Sequence, residues 1–385
     1  MASATLTAAQ EIAPRLSARA EEGERLATMP SDLVADARAA GLFGLATPRV
    51  LGGAELPPAT IIDIAAELSR ADGSAGWTIM IGNSTAFLAW LDPSVAAELV
   101  GERTDVVSSA VFAPNGQLTP DGDGFKLSGR WPFSSGSVHS DWFINGAVVT
   151  DGDSTPRTFT DGRPDWRLSV VPASGVEVVD NWDVAGLRGT GSHDVTASGV
   201  AVPREHTMIP FFEPARHDGP LWRLPFLTLV GVILAGVPVG IARRALDEFT
   251  GFAPTKIRPP STDPIAMDGD VQMALTRAEG GLQSALAFVH DTVGALWDTA
   301  CLGDVPDLER RARFLLATQQ AMRASVEAVD TAFSFAGASA LHSSHPMQRC
   351  FRDIHAADQH VYFATAAAKR YAKTRFGIDQ PTFWL

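Results

Sequence analysis

The sequence predicts an α+β protein in which a helical domain, a β domain and a second helical domain follow one another. Helical periodicity runs from residue 7 to about residue 100, short β-branched and aromatic runs occupy residues 106 to about 202, and long helical segments follow residue 226. Strands and helices do not alternate, so a parallel nucleotide-binding sheet is not expected. We therefore place the domains at residues 1–105, 106–205 and 206–385.

Composition and charge indicate a globular protein that binds neither nucleic acid nor membranes. The chain has 385 residues, 45% hydrophobic and 19% charged, enough to bury a core in two or three domains. Its net charge of −13 repels phosphate backbones and anionic lipids. Two cysteines provide neither a disulfide framework nor a zinc ligand set, and the first 25 residues lack the apolar core of a signal peptide. The expected location is the cytoplasm.

The N-terminal domain is predicted from helix start and stop signals. Ser31 is the expected N-cap of a helix that continues to Ala40 and is closed by Gly41. Apolar spacing predicts two further helices at residues 61–70 and 77–90.

The middle domain is predicted from short runs at residues 106–112, 125–127 and 142–149. They are rich in β-branched and aromatic residues and are separated by Gly, Asp, Asn and Pro. This pattern is typical of an antiparallel barrel or sandwich.

The C-terminal domain is predicted to be a four-helix bundle, with helices at about 226–252, 270–302, 306–338 and 346–374. Residues 224–242 carry no charge and approach the length of a membrane span. Because this stretch contains prolines and glycines and occurs only once, a buried central helix is the better interpretation.

Two motif-like strings carry no chemistry in our interpretation. The glycine-rich string from Gly186 to Gly191 has the wrong spacing for a dinucleotide fingerprint and lies among strands, so bound NAD is not expected. Ser192, His193 and Asp194 are adjacent, whereas a catalytic triad converges from distant positions, so we interpret them as a turn.

The most informative segment runs from Ser128 to Trp142 and contains the string Trp131-Pro-Phe-Ser-Ser-Gly136. Aromatic side chains beside hydroxyls and glycines at a strand end are suited to a flat heteroaromatic ring. A strand-to-turn transition in any barrel has a similar composition, so composition alone leaves both interpretations open.

Several motifs in order make the chain similar to the acyl-CoA dehydrogenase superfamily. They are Met29-Pro-Ser-Asp-Leu33, the string from Trp182 to Ser192, Phe335-Ala-Gly-Ala338 and Arg352-Asp353. The resemblance implies an N-terminal helical domain, a central β-barrel and a C-terminal four-helix bundle, with a flavin between barrel and bundle. It also implies a homotetramer, in which we expect the Phe383-Trp384 tail to pack on another subunit.

The glutamate that the resemblance requires for dehydrogenation is missing. In the dehydrogenases this base is expected near Val361 or near Val230, and neither neighbourhood contains a Glu. General-base catalysis contributes roughly 10²–10⁴-fold, so dehydrogenation is disfavoured.

His360 stands beside the first of these positions, and its segment resembles the oxygenase components of two-component flavin monooxygenases. Hydroxylases of 4-hydroxyphenylacetate and of steroid-derived phenols and dibenzothiophene monooxygenase are of this type. The resemblance implies reduced FMN or FAD from a separate NAD(P)H–flavin reductase, and O₂ that forms a C4a-(hydro)peroxide. It further implies a last-helix histidine that assists oxygenation of an aromatic or polycyclic small molecule, with N- or S-oxygenation as variants.

The residues around His360 are compatible with this role. On a continuous helix the residues that share its face are Asp353, Ala356, Ala357, Ala364 and Ala367, and the small residues among them leave room for a ligand. An imidazole with a pKa near 6.5 takes a phenolic proton at neutral pH. The alternative is a histidine that only packs against neighbouring helices.

The resemblance also assigns the remaining site residues. Ser135, with Ser134 as the second choice, is expected near flavin N5 as a catalytic hydroxyl, and Arg258 is expected either at a flavin phosphate or in solvent. His139 either approaches the ring or braces the barrel. The other flavin contacts are Phe112, Ala113, Trp131 and Phe133, and the other substrate contacts are Trp77 and Ser84. The alternatives in function are an acyl-CoA dehydrogenase with a displaced base and a catalytically silent binding protein.

Overall fold

The computed structural model describes residues 2–151 and 155–382, and its first domain is helical as predicted. Phe383 and Trp384, the predicted subunit contact, lie outside the described residues. The six helices are α1 (Ala2–Ala18), α2 (Ala20–Leu26), α3 (Ser31–Ala39), α4 (Pro58–Ala71), α5 (Gly73–Gly82) and α6 (Pro93–Val100). The predicted cap at Ser31 is one residue late, because Pro30 occupies the N-cap position.

The predicted helix over residues 77–90 is wrong at both ends. Helix α5 begins four residues earlier, where the Asp72 carboxylate accepts the Ala75 N–H. It ends at Gly82, and a 3-10 helix follows over Ser84–Trp90. The break occurs at Asn83, whose buried side-chain amide donates to the carbonyls of Ile79 and Leu42 at 2.9 Å each. The Asn83 side chain therefore donates to the Ile79 carbonyl, which the Asn83 backbone N–H would bond to in a continuing helix.

The described residues of the middle domain form one seven-stranded sheet. Its strands are β1 (Ser108–Asp121), β2 (Gly124–Trp131), β3 (Trp142–Val149), β4 (Trp166–Pro172), β5 (Glu177–Val179), β6 (Asp194–Val202) and β7 (Thr207–Met208). They lie in the order β5-β6-β2-β1-β3-β4-β7. Among the described residues the edge strands β5 and β7 do not pair, so the predicted barrel is an open sheet.

Strands β1 and β3 run parallel, whereas the prediction was purely antiparallel. The reason is the segment over residues 132–141, which leaves β2 and crosses the start of β1 before β3 begins beside it. The Cα partners Ser108 and Trp142 mark this crossing. The crossing carries the Ser-Ser-Gly motif to the end of the sheet that faces the helical domains.

Up to residue 382, where the described part ends, the C-terminal domain has six α-helices where four were predicted. They are α7 (Phe226–Leu234), α8 (Gly236–Phe252), α9 (Gly269–Cys301), α10 (Leu308–Ala336), α11 (Pro346–Asp358) and α12 (Thr365–Arg375). The first predicted helix divides at Ala235, since Pro238 has no N–H to donate to the Leu234 carbonyl. The last one divides between Asp358 and Thr365.

The long apolar stretch is a core helix pair, as predicted. Helices α7 and α8 together are long and apolar enough to cross a membrane, but 89% of the most apolar window is buried inside the protein. Gly236 and Gly240 allow α8 to approach α4 closely, because a Cβ at either position would collide with the carbonyl of Ile62 or Ala66. Close packing of this kind requires glycine.

Candidate functional site

Three of the predicted site residues meet where the three domains come together. Trp77 lies on α5, Ser135 on the crossing segment between β2 and β3, and His360 in the turn between α11 and α12. The Trp77 indole N–H donates to the Ser135 Oγ at 3.0 Å. The same indole meets the His360 imidazole edge to face, with ring centroids 5.4 Å apart and an interplanar angle of 71°. Trp77 therefore bridges the two predicted catalytic residues.

The crossing segment is held in a fixed conformation by backbone hydrogen bonds. Phe133 and Gly136 adopt left-handed φ values of 63° and 68°, which is uncommon for a residue as large as Phe. The N–H groups of Ser134 and Gly136 donate to the carbonyls of His193 and Thr190 at 3.0 and 2.9 Å. These bonds place Ser135 against Trp77.

The two neighbouring serines face different surroundings. Ser134 is fully buried, and its Oγ lies 2.8 Å from the Oγ of Ser109. Because Ser109 uses its proton on the Ser135 carbonyl at 2.9 Å, the Ser134 hydroxyl has to donate to Ser109. The hydroxyl proton of Ser134 is thus used within the protein, whereas Ser135 lies in the group with Trp77 and His360.

His360 does not lie on a helix, in contrast to the prediction. Helix α11 ends at Asp358, and the chain turns before α12 begins. Ala364 and Ala367 consequently do not extend the face of α11 beside the imidazole. The turn is anchored by Gln319 of α10, whose side-chain amide donates to the Tyr362 carbonyl at 2.7 Å. A side-chain contact from another helix therefore overrides the helical periodicity.

The imidazole of His360 is neutral and its tautomer is assigned by its hydrogen bond. The Tyr362 backbone N–H donates to Nδ1 of His360 at 3.2 Å. Nδ1 is therefore the acceptor, and the single hydrogen of the neutral ring resides on Nε2. Burial alone lowers the pKa of His360 to about 4, although the residue keeps partial solvent access. The predicted pKa near 6.5 is wrong, because the ring lies deep beside Trp77 and Phe363.

The two positions where a dehydrogenase would carry its glutamate hold aliphatic side chains. Val361 is 68% exposed and Val230 is buried in α7. In the described part of the chain, no carboxylate raises the pKa of His360. The surroundings of the imidazole are therefore uncharged.

Aromatic side chains form a second cluster where β1, the 3-10 helix and α7 meet. Phe112 contacts Phe87 and Phe226, with ring centroids 5.2 and 4.9 Å apart. The next residue, Ala113, is exposed on β1. Ser84 begins the 3-10 helix and has only 3% of its surface exposed, which is too little to line an open pocket.

Two other predicted site residues, Trp131 and His139, bond only to other parts of the protein in the contacts that the structure describes. The Trp131 side chain is fully buried in the core of the sheet, where its N–H donates to the Gly146 carbonyl at 2.7 Å. Nε2 of His139 bonds to the Thr28 hydroxyl and the Met29 carbonyl at 3.0 and 2.9 Å. His139 thus braces the sheet against the first domain, and the indole of Trp131 is enclosed too completely to contact a cofactor.

Arg258 likewise binds the protein. Its Nη2 donates to the carbonyls of Ser334 and Phe335 at 3.0 and 2.6 Å, and its guanidinium lies 5.6 Å from the centroid of the Phe335 ring. Arg258 therefore satisfies carbonyls at the C-terminal end of α10, where a cation is favourable. These two carbonyls compete with a flavin phosphate for the Arg258 guanidinium.

Residues that the sequence interpretation dismissed lie directly behind Ser135. The predicted turn over Ser192, His193 and Asp194 is wrong, because strand β6 begins at Asp194. Nδ1 of His193 accepts the backbone N–H groups of Asn181 and Trp182 at 3.2 Å each. Ser192, however, lies 2.8 Å from the Ser135 Oγ. In the sequence, the only signal for the contact between Ser192 and Ser135 is the close spacing of the hydroxyl residues Thr190 and Ser192.

Comparisons with known proteins show similarity to acyl-CoA dehydrogenases and to flavin-dependent monooxygenases. Family models for the N-terminal and C-terminal domains of acyl-CoA dehydrogenases match residues 2–92 and 232–365. The chain is 31% identical to indole-3-acetate monooxygenase of Pseudomonas putida over 361 residues, 94% of this chain and 90% of the relative. It is 28% identical over 359 residues to the flavin-dependent monooxygenase oxygenase subunit HsaA of Rhodococcus jostii, with 90% and 91% coverage.

A solved structure extends the similarity to the whole fold. XiaF from Streptomyces sp., in complex with FADH2 and glycerol, superposes with a TM-score of 0.89 at 25% identity. The match covers 98% of this chain and 96% of that chain.

Proposed function

The chain belongs to the acyl-CoA dehydrogenase superfamily, within its flavin-dependent monooxygenases, and on this premise we propose that it is the oxygenase component of a two-component system. Its reaction is the hydroxylation of an aromatic or polycyclic small molecule. The observation that carries the proposal is the group of Trp77, Ser135 and His360, which offers a neutral histidine where a dehydrogenase needs a carboxylate.

The residues present suit a flat, uncharged heteroaromatic ring. Phe133, two residues before Ser135, exposes 69% of its surface, and the Trp182 ring stands perpendicular to the Phe133 ring with their centroids 6.1 Å apart. Ser135 provides a hydroxyl at the inner side, and Phe112 adds an aromatic wall further along the sheet. When bound, reduced FMN or FAD together with O₂ would supply the oxygen atom that is transferred.

His360 acts in this proposal as a hydrogen-bond donor. Its Nε2–H is the free donor of a ring whose Nδ1 is already occupied by the Tyr362 N–H. A donor that does not ionise keeps its proton throughout the reaction and can orient an oxygen atom of the substrate or of the cofactor complex. A pKa of about 4 caused by burial makes the same ring a weak base, so proton abstraction from the substrate is not its task.

The proposal includes a partner protein and an assembly. The relative from Rhodococcus jostii is named an oxygenase subunit, which supports a separate reductase that delivers reduced flavin to this chain. A homotetramer and a cytoplasmic location complete the proposal. The indole-3-acetate monooxygenase similarity supports a fused aromatic ring as the part of the substrate that is oxygenated.

The test is the incorporation of labelled oxygen. We expect protein supplied with chemically reduced FMN or FAD and ¹⁸O₂ to place one ¹⁸O atom in an aromatic substrate from a panel that includes indole-3-acetate, phenols and polycyclic phenols. Mass spectrometry of the products measures this directly. His360→Ala should lower the labelled yield while the protein still binds reduced flavin.

Two other outcomes would contradict the proposal. Bleaching of bound oxidised flavin by an acyl-CoA, without labelled product, would indicate a dehydrogenase with a displaced base. Failure to bind flavin in either redox state would indicate a silent binding protein.

A further inference from the structure

We infer that Gln319 of α10 is a positioning residue for His360, because its amide holds the turn that gives Nδ1 of the imidazole a donor and so keeps the ring hydrogen on Nε2. The inference rests on the proposed function, in which His360 donates from Nε2. It adds a residue of a distant helix to that function.

The segment between α11 and α12 contains a tight turn over residues 360–363. The Phe363 N–H closes this turn by donating to the His360 carbonyl at 2.8 Å, as in a β-turn. Tyr362 is the third residue of the turn, and its N–H donates to Nδ1 of His360 at 3.2 Å. Whether Nδ1 has a donor therefore depends on the conformation of Tyr362.

Two adjacent residues of α10 hold Tyr362 from outside the turn. The Gln319 amide donates to the Tyr362 carbonyl at 2.7 Å, and the Thr318 side chain hydrogen-bonds with the Tyr362 hydroxyl. The Tyr362 carbonyl and the Phe363 N–H belong to one planar peptide unit. Because this unit is rigid, Gln319 also fixes the direction of the N–H that closes the turn.

The Tyr362 ring packs between α7 and α10. A Cβ at Gly231 of α7 would lie 2.0 Å from the Tyr362 hydroxyl oxygen and 3.0 Å from the Phe314 ring of α10, so the ring fits only beside a glycine. Tyr362 and Phe363 are both buried. Burial of the two rings places the turn beside the bundle, and the Gln319 amide sets the orientation of the peptide between them.

The two tautomers of a neutral imidazole present opposite groups at Nε2. With the hydrogen on Nε2 this atom donates, whereas with the hydrogen on Nδ1 it accepts. The Tyr362 N–H at Nδ1 is compatible only with the first tautomer. Loss of this contact changes the tautomer ratio about fivefold, as expected of one net hydrogen bond. Part of the protein then presents a lone pair where the reaction needs a donor.

The test reads the position of the ring hydrogen by solid-state ¹⁵N NMR of the full chain labelled with [¹⁵N]histidine. It requires neither flavin nor substrate. The chain has nine histidines, and the His360 signals are those that disappear in His360→Ala. In the intact chain at pH 7 we expect a protonated Nε2 and an unprotonated Nδ1. Gln319→Met removes the donor at similar side-chain length and should shift the ratio about fivefold toward the Nδ1–H tautomer.

Three matched variants separate the hydrogen bond from packing. Gln319→Glu keeps the shape of the side chain, but its carboxylate only accepts, so it should behave like Gln319→Met. Gln319→Lys provides a donor on a flexible chain and should restore the ratio of the intact protein. Gln320→Met makes the same substitution at the next position of α10, which points to another side of the helix, and should leave the ratio unchanged.

A single-turnover assay supplies the functional readout. With reduced flavin, O₂ and an aromatic substrate, the product yield should fall by up to about fivefold in Gln319→Met and Gln319→Glu and recover in Gln319→Lys. Thermal melts identify any variant that does not fold. If Gln319→Met fails to fold, Gln319→Glu carries the test.

Different results overturn the two proposals separately. A ring hydrogen on Nδ1 in the intact chain, or an unchanged tautomer ratio in Gln319→Met and Gln319→Glu, refutes the positioning role even if labelled product forms. The expected shift in tautomer ratio, without flavin binding or labelled product from the intact chain, refutes the oxygenase proposal and leaves the control of the imidazole by Gln319 standing.

Discussion

The pH dependence of oxygenation tests the assignment of His360 as a neutral donor. A group whose pKa is about 4 because of burial is about 97% neutral at pH 5.5, whereas one with the ordinary pKa of about 6.5 is only about 9% neutral there. If the neutral ring is the active form, we expect a product yield that changes little between pH 5.5 and 8. A histidine acting as base with an ordinary pKa would lose about tenfold at pH 5.5.

The assay is a single turnover at each pH, with chemically reduced flavin, O₂ and a fixed substrate, and with hydroxylated product as the readout. His360→Gln retains an amide N–H and should keep more of the yield than His360→Ala, because a donor is what the ring supplies. His355→Ala is the matched control, since His355 lies on α11 and pairs with Asp330 at 2.8 Å at the surface. An apparent pKa near 6.5 that disappears in both His360 variants would refute the donor assignment.

Three further predictions concern residues that hold the site in place. Trp131→Ala should lower the free energy of unfolding by about 3–5 kcal/mol in denaturant titrations, since the indole is fully buried; loss of flavin affinity at unchanged stability would contradict this. Arg258→Met should lower the free energy of unfolding by about 1 kcal/mol, because two contacts with carbonyls are lost, and should leave the flavin Kd within twofold. If Arg258 binds a flavin phosphate, the substitution would weaken flavin binding much more. Burial and the neighbouring Asp72 raise the pKa of Asp353 to about 7, so its contribution to stability is present below pH 4 and is lost as the pH rises to 7. Asp353→Asn removes this pH-dependent contribution. The free energy of unfolding of the variant, relative to that of the intact chain, should therefore rise by about 2 kcal/mol between pH 5 and 7. A difference that does not change with pH would contradict the raised pKa.

The order of the structural blocks was predictable because it depends on local signals. Apolar spacing, turn residues and β-branched runs are properties of neighbouring residues, and they were sufficient to predict the α+β class and the buried helix near residue 230. The missing glutamate and the presence of His360 are also visible in the sequence alone, since they concern which residue type occupies a position.

Contacts between distant segments were not predictable from such signals. Helix α5 ends because Asn83 bonds to Leu42, and the last predicted helix divides at a turn that Gln319 holds from α10. Trp131 and Arg258 were both candidates for flavin contacts, but packing places the Trp131 indole in the sheet core and pairs Arg258 with carbonyls at the end of α10. Neither outcome depends on the spacing of nearby residues.

The site itself illustrates the same division. Trp77, Ser135 and His360 were each predicted from their residue types and motifs, yet their contacts join three domains. Behind them, Ser192 was predicted to lie in a turn, and Thr190 belonged to the glycine-rich string to which no chemistry was assigned. Residue identity indicates which chemistry is available. Which groups touch, which of them are desolvated and which way each proton points are results of packing, because burial and hydrogen-bond direction depend on partners far away in the chain.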